Sequence, residues 1–343
     1  MKKYILDLTI TQLKNILKTK VSQEYVFSQI LDWIYVKKVI SFKDFTNISK
    51  KLKEKLDEIF ILRTLKIIKK EQSKIDGTTR YIFQTSDKKY FFAVLLSSKE
   101  KNSICISSQI GCPVMCSFCS SGKVKYIRNL TKGEILEQIL QIENDTKKRI
   151  SRVLFMGMGE PTLNINNVTL VLNSLLSNKE FGIGKKHITL SSVGNVPVIK
   201  KLADSRFGVR IALSLHATDE KQRRKLIPNN FGFSINDILD AGKYYLKKTN
   251  SRLTIEYILV KDINDSIASA HKLARLLKHH ELINSNMQVN LIPFNFINNT
   301  QFKTSKSESI QKFKNMLKLN KIIVNIRQAK GIDIKAACGQ LGY

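Results

Sequence analysis

The run 105-CISSQIGCPVMCSFCSSG-122, Cys105 to Gly122, holds four of the chain's five cysteines. Three of them, Cys112, Cys116 and Cys119, form a C-x3-C-x2-C triplet, and its upstream flank, "ICISS" (104–108), has the short apolar character of a strand. The triplet therefore falls in a loop that follows a strand. Thiols so spaced bind soft metal centres. A structural zinc needs four ligands, so Cys105, Cys338 or a histidine would have to complete the set. A Cys116–Cys119 redox couple would leave Cys112 without a role. A four-iron cluster held by three thiolates keeps one iron open for a small molecule, which accounts for three cysteines with no fourth beside them.

Downstream of this run, strands and helices alternate. "RVLFMG", "HITLSS", "RIALSLH", "LTIEYILV", "QVNLIPF" and "KIIVNIR" read as strands. Between them, "TKGEILEQILQI", "SINDILDAGKYYLKK", "SIASAHKLARLLKHH" and "SESIQKFKNMLKL" read as helices, the first opened by a capping box at Thr131 and Glu134. Repeated β-α units imply an α/β fold with a parallel sheet, open or curled into a barrel, that binds ligands at the strands' carboxyl ends. Polar, glycine-bearing turns sit at four such ends: "GMGEP", "SSVG", "SLHAT" and "PFN". One of them alone would be an ordinary loop; four together outline a pocket.

Upstream of the run the period changes. "LKIIKK", "TRYIFQT" and "YFFAVLL" predict an antiparallel meander that turns at Asp76-Gly77 and Asp87-Lys88. Before it, three stretches carry apolar residues at helical spacing: Ile10, Leu13, Ile16 and Leu17; Val26, Phe27, Ile30, Trp33 and Ile34; Leu52, Leu56, Ile59 and Phe60. Three regions follow: a helical accessory domain over 1–63, a strand linker over 64–98, and the main domain over 99–343.

The 343 residues carry 58 Lys+Arg against 28 Asp+Glu, a formal charge of +30, and a surface so basic attracts a polyanion such as RNA. An AT-rich coding sequence would supply lysines, but it would not explain the shortage of acids. No apolar run is long enough to span a bilayer, and the amino terminus lacks a signal-peptide pattern, so a cytoplasmic location is expected, where disulfide scaffolds are not maintained.

The triplet, with Phe118 before its last cysteine, resembles that of the radical S-adenosylmethionine (SAM) superfamily. "CISSQIGC", "RNLT", "FMGMGEP", "SLH", "VNLIPFN" and the terminal "GIDIKAACGQLGY" match in order the RlmN/Cfr family of RNA methyltransferases, from about residue 5 to the end. The resemblance implies a partial (β/α)6 TIM-like barrel with a helical accessory domain. It also implies one 4Fe-4S cluster on Cys112, Cys116 and Cys119, SAM as methyl donor and radical source, an electron donor of flavodoxin or ferredoxin type, no membrane partner, and a monomer. Gly159, Glu160, Ser191, Ser214, Leu215, His216 and Asn295 match the family's SAM contacts.

Cys338 matches the family's methyl-carrying cysteine and Cys105 its second catalytic cysteine. Adenine C2 is electron-poor and cannot displace the methyl of SAM, whereas a thiolate can. In the family's mechanism the carrier cysteine takes a methyl, a radical from a second SAM removes a hydrogen from it, and the carbon radical adds to the ring. The second cysteine then attacks the carrier's sulfur, releasing the methylated base and leaving a transient disulfide. The implied reaction is methylation of adenosine C2 in 23S ribosomal RNA and of the adenosine 3′ of the anticodon in some transfer RNAs. Methylation at C8 is the nearest alternative, and an RNA-binding protein with a structural zinc is an alternative of another class. One departure stands out: where family members carry a proton-accepting Glu, thirteen residues before the second cysteine, this chain has Phe92. Water, Cys105 or Glu100 could serve instead, and no motif selects among them.

Overall fold

A computed structural model describes residues 2–18, 23–97, 101–205 and 207–342; Glu100 lies outside them. The chain opens with β1 (Lys3–Tyr4), α1 (Ile10–Leu17), α2 (Glu24–Leu31), α3 (Lys50–Ile59) and β2 (Phe60–Ile61). Thr9 and Gln12 form a capping box on α1, and the Ser49 hydroxyl accepts from Leu52 N on α3. Phe60, which continues the apolar stripe of α3, instead begins β2 and pairs in parallel with Lys3.

The meander follows as β3 (Lys66–Gln72), β4 (Thr79–Gln84) and β5 (Tyr90–Leu96). Its turns carry Gly77 and Lys88 in left-handed conformation. Then come β6 (Ser103–Cys105), β7 (Gln109–Ile110), β8 (Arg128–Asn129), α4 (Lys132–Thr146), β9 (Arg152–Phe155), α5 (Ile165–Leu176), β10 (Ile188–Ser192), α6 (Val196–Asp204) and β11 (Arg210–Ser214). The chain ends through α7 (Glu220–Leu226), α8 (Ile235–Thr249), β12 (Leu253–Leu259), α9 (Ile267–His279), β13 (Met287–Pro293), α10 (Ser307–Leu319) and β14 (Val324–Ile326).

One ten-stranded sheet runs β14-β13-β12-β11-β10-β9-β6-β5-β4-β3. From β6 to β14 every neighbouring pair is parallel. Six β-α repeats followed by a seventh strand make the partial barrel, and the meander extends the same sheet through the antiparallel β5–β6 pair. The meander is thus a continuation of the barrel wall.

The expected capping box on α4 is present, with Thr131 and Glu134 satisfying each other's backbone N–H groups. The same Glu134 forms a bidentate pair with Arg128, which also grips Asp87 of the β4–β5 turn. The accessory region docks on α4 through its first residues and the stretch after β2. Buried Glu137 accepts from Thr64 N, Leu65 N and the Tyr4 hydroxyl, and Asp7 accepts from Gly133 N at 2.7 Å. Gly133 permits that seat, since a Cβ there would fall 2.2 Å from the Tyr4 ring. Accessory and barrel side chains then share one apolar core, from Leu6 and Trp33 through Ile135 to Leu291.

Candidate active site

The strands of the barrel present alternate residues inward. Cys105, Met156, Ser191, Ser214, Glu256 and Asn290 stand high on β6, on and just beyond β9, and on β10, β11, β12 and β13, and each lines a cavity. A smaller cavity of about 160 Å³ at the carboxyl end is bordered by Cys112, Cys116, Cys119, Gly159, Glu160, Ser191, Ser214 and His216. A larger one of about 570 Å³ fills the lumen and contains Cys105. Cys338 borders both, together with Met156, Glu256, Ile292 and Arg327. The two cysteines read from sequence as a catalytic pair therefore share one chamber, and Cys338 stands at its junction with the chamber of the triplet.

All five cysteines are free thiols. The triplet packs in an apolar cluster with Val114, Phe118, Val193, Ile258 and Phe294. Burial pushes the Cys112 thiol up to about 12 and that of Cys116 well above the ordinary range. Such thiols ionise when a metal centre compensates the charge. Among the described residues no three His, Cys, Asp or Glu side chains form a group that could hold a single metal ion.

Glu160 borders the same cavity. Its carboxylate accepts from Thr162 N at 3.2 Å, from the Thr162 hydroxyl at 2.5 Å and from Val193 N at 3.0 Å. Burial raises its pKa above the carboxylate range, and it makes no ion pair among the described residues. A cationic ligand such as an ammonium group supplies what this buried acid lacks. Gly159 lets the chain turn there: its φ is +103°, and a Cβ would stand 2.6 Å from Gln109 Cβ.

His216 is buried, has a φ of +60°, and accepts from Ile258 N through Nδ1 at 3.0 Å. Burial, then Arg223, push its pKa down to about 3, so it is a neutral wall packed edge-on against Phe118. Ser191 and Ser214 face each other with hydroxyls 3.5 Å apart. Leu215 and Asn295 lie outside this small cavity. The Leu215 side chain is in the core, and Asn295 Nδ2 donates to the Cys338 carbonyl at 3.0 Å.

The terminal segment is stitched across the triplet loop. Ser120 N donates to Gly339 O at 2.7 Å, the Ser121 hydroxyl to Leu341 O at 2.5 Å, and Gln340 Nε2 to Phe296 O at 2.9 Å. Gly339, with φ +83° and room for no more than a 3.0 Å approach to Phe118 O, allows this crossing. From the meander, Asp76 accepts from Gly331 N at 2.8 Å and Arg80 donates to Lys335 O at 3.3 Å.

Sequence reasoning missed three charged groups. Glu256 is buried, accepts from Asn290 Nδ2 at 2.9 Å, and has a pKa raised by burial against the pull of Arg327. Arg327, just past β14, keeps its charge because Glu256, Cys338 and Cys105 outweigh the burial that opposes it. Burial raises Cys105 to about 12, the pocket around the exposed Cys338 also raises its thiol, and Arg327 opposes both shifts. The third, Arg223, is fully buried beside the small cavity, with Nε and Nη1 unpartnered.

The chain matches the family model described as "Radical SAM superfamily" over residues 106–274, and the "Ribosomal RNA large subunit methyltransferase N-terminal domain" over 4–62. It is 68% identical over 342 residues to the probable dual-specificity RNA methyltransferase RlmN of Endomicrobium trichonymphae, covering 100% of this chain and 98% of that protein. With the same-named protein of Thermotoga petrophila it shares 43% over 339 residues, or 99% and 97% of the two chains. The crystal structure of a radical SAM methyltransferase from Sphaerobacter thermophilus superposes with a TM-score of 0.93 at 33% identity, covering 99% of each chain.

Proposed function

The chain belongs to the RlmN family of radical SAM RNA methyltransferases, and from that premise we propose that it methylates C2 of adenosine in 23S ribosomal RNA and of the adenosine 3′ of the anticodon in transfer RNA. The observation that carries the reading is the position of Cys338, which borders at once the chamber of the cysteine triplet and the chamber of Cys105. Family membership brings a 4Fe-4S cluster and SAM, and the free triplet and the cation-seeking Glu160 fit them. When bound, they supply the methyl group and the hydrogen-abstracting chemistry.

The chain's own residues do the rest. Cys112, Cys116 and Cys119 would hold the cluster, and Glu160 would take the ammonium of SAM, with Gly159, Ser191, Ser214 and His216 lining its bed. Cys338 Sγ carries the methyl, and Arg327 favours its thiolate form and that of Cys105. Glu256 fills the gap left at Phe92. It is the sole carboxylate lining the large cavity among the described residues, and burial makes it a stronger base than a solvated acid. It receives the proton that leaves C2. The Cys105 thiolate then attacks Cys338 Sγ, an S–S bond forms and the C–S electron pair departs with the base, whose methylene carbon takes up a proton to become the methyl group while the unpaired electron left by radical addition returns to the redox centre. Leu215 acts on the site through the backbone just past β11, and Asn295 both lines the large cavity and braces the Cys338 segment.

Among the described residues no helix is long and apolar enough to cross a membrane. We place the enzyme in the cytosol as a monomer reduced by a flavodoxin- or ferredoxin-type donor, with regions 1–63, 64–98 and 99–343 as accessory domain, linker and catalytic core. The test is anaerobic purification followed by mass spectrometry of RNA treated with the enzyme and SAM. About four irons and four sulfides per chain are expected, with 2-methyladenosine as product. Appearance of 8-methyladenosine would replace the C2 assignment, and an iron-free protein that still methylates RNA would end the reading.

A further inference from the structure

The end of the lumen opposite Cys338 is rimmed by cations. Arg152 and Arg210 open β9 and β11, Arg252 immediately precedes β12, and Lys186 and His187 precede β10. All five line the large cavity. Strand register brings the arginines together, because Arg210 pairs with Thr189 while the next residues, Ile211 and Leu253, pair with each other.

Among the described residues none of the three arginines forms an ion pair, and Arg152 Nε is buried without a partner. Burial, then Arg252 and Arg152, work against the Arg210 charge, and burial, then Arg152 and Arg210, work against protonation of His187. The nearest lumen carboxylate along β12 is Glu256, four residues above Arg252, or about 13 Å of extended strand. Three like charges converging without an acid destabilise a fold. Such a cluster is explained by an anion that joins it, and guanidinium forks match phosphate oxygens. The carboxyl end of the barrel is meanwhile covered by the triplet loop and the stitched terminal segment.

We propose that Arg152, Arg210 and Arg252 bind backbone phosphates flanking the target adenosine, so that the extruded base enters the lumen through its amino-terminal mouth and meets Cys105 and Cys338 from below. The proposal rests on the RNA-modifying reading above and adds to it a binding site and a direction of entry. Ser103, Thr189, Thr254 and Gln288 line the path between mouth and cysteines, so a polar base edge finds partners along it.

The test uses the cluster-loaded enzyme and a fluorescein-labelled anticodon stem-loop RNA carrying adenosine 3′ of the anticodon. Anisotropy is measured across a salt series for wild type, for Arg210→Gln/Arg252→Gln, and for the charge-matched surface control Lys278→Gln/Lys318→Gln. The arginine variant should lose at least tenfold in affinity, and its log–log salt slope should fall by about 1.5, on the order of 0.7 to 0.9 per lost phosphate contact. The control should follow wild type. With two like charges gone, the thermal midpoint of the arginine variant should stay level or rise, which separates lost binding from lost folding. Bound RNA should also slow alkylation of Cys105 in wild type and fail to do so in the arginine variant.

If the arginine variant matches the control in affinity, slope and Cys105 protection, the proposed site is wrong while the RNA-modifying function stands. If inorganic phosphate at matched ionic strength protects Cys105 as well as the RNA does, the mouth is a small-anion site and the proposal fails. Absence of RNA binding by wild type would overturn both readings.

Discussion

Asn295 Nδ2 donates to the backbone carbonyl of Cys338 at 3.0 Å. The bond joins the loop after β13 to the segment that carries the methyl-bearing sulfur, so it fixes where that sulfur points. Removing one such bond costs about 1 kcal/mol. Asn295→Ala should lower kcat/KM for RNA methylation about fivefold, while Asn295→Asp, which loses the donor and adds a charge, should do worse. Both should unfold within about 2–4 °C of wild type. Unchanged kinetics in both would show that the terminal segment is held without this bond.

Cys105 and Cys338 share the lumen, and Arg327 opposes the upward shift of both thiols. If Cys105 is the sulfur that breaks the carrier's bond to the base, Cys105→Ala should stall after that bond forms. A covalent protein–RNA species should then accumulate on denaturing gels and give a Cys338-containing peptide of increased mass. Cys338→Ala should yield neither the adduct nor the methylated base. Free product from Cys105→Ala at the wild-type rate would remove Cys105 from the reaction.

The sequence announced the parts of this site that lie on one continuous stretch. Cys112, Cys116 and Cys119 are recognisable by spacing alone, and the seven barrel strands by their apolar runs. Glu256 and Arg327 are not, because their meaning depends on register. Glu256 sits in "LTIEYILV", where burial on both faces leaves no alternation to show which residues look inward, and Arg327 reads as the polar end of a strand. The three arginines at the opposite mouth belong to separate β-α units and meet only when the sheet curls. Leu215 sits in a motif next to pocket residues, so proximity in sequence suggested ligand contact where its side chain instead packs in the core, whereas Asn295 lines the large cavity and also braces the Cys338 carbonyl.

Glu256 is buried, and its pKa is raised relative to the unfolded chain. A carboxyl raised on folding contributes stability that is full below the unfolded value, near 4.3, and is lost as pH rises through the folded value. Glu256→Gln keeps the shape and can keep the bond from Asn290, yet removes the ionisable group. The variant should therefore melt above wild type at pH 7 to 8, by roughly 2–4 °C per kcal/mol relieved, and the gap should close toward pH 4. Cys338 should still become methylated in it, since that step needs no base at C2, while transfer to RNA should fall by 10²-fold or more. Full transfer activity with an altered melting profile would leave Glu256 a structural acid and reopen the question posed by Phe92.

Asp76, in the β3–β4 turn, accepts from Thr78 N at 2.9 Å and from Gly331 N at 2.8 Å. Burial works against its charge, but bonds from Thr78, Gly331 and Ser73 outweigh it and hold the carboxyl below the ordinary range. The meander thereby clamps the base of the segment that ends in Cys338, which gives this hairpin a catalytic consequence at a distance. Asp76→Ala should accelerate hydrogen exchange at the amides of 331–340 about fivefold, the worth of one hydrogen bond, and should slow methyl transfer while leaving the melting temperature of the barrel within about 2 °C. The sign with pH is fixed by the depressed pKa. The clamp is complete above the unfolded value and weakens as pH falls through the folded one, so the difference between variant and wild-type exchange should shrink in acid. Equal exchange at 331–340 in both proteins at neutral pH would mean that Ser120, Ser121 and Gln340 secure the segment by themselves, and that the meander serves only to extend the sheet.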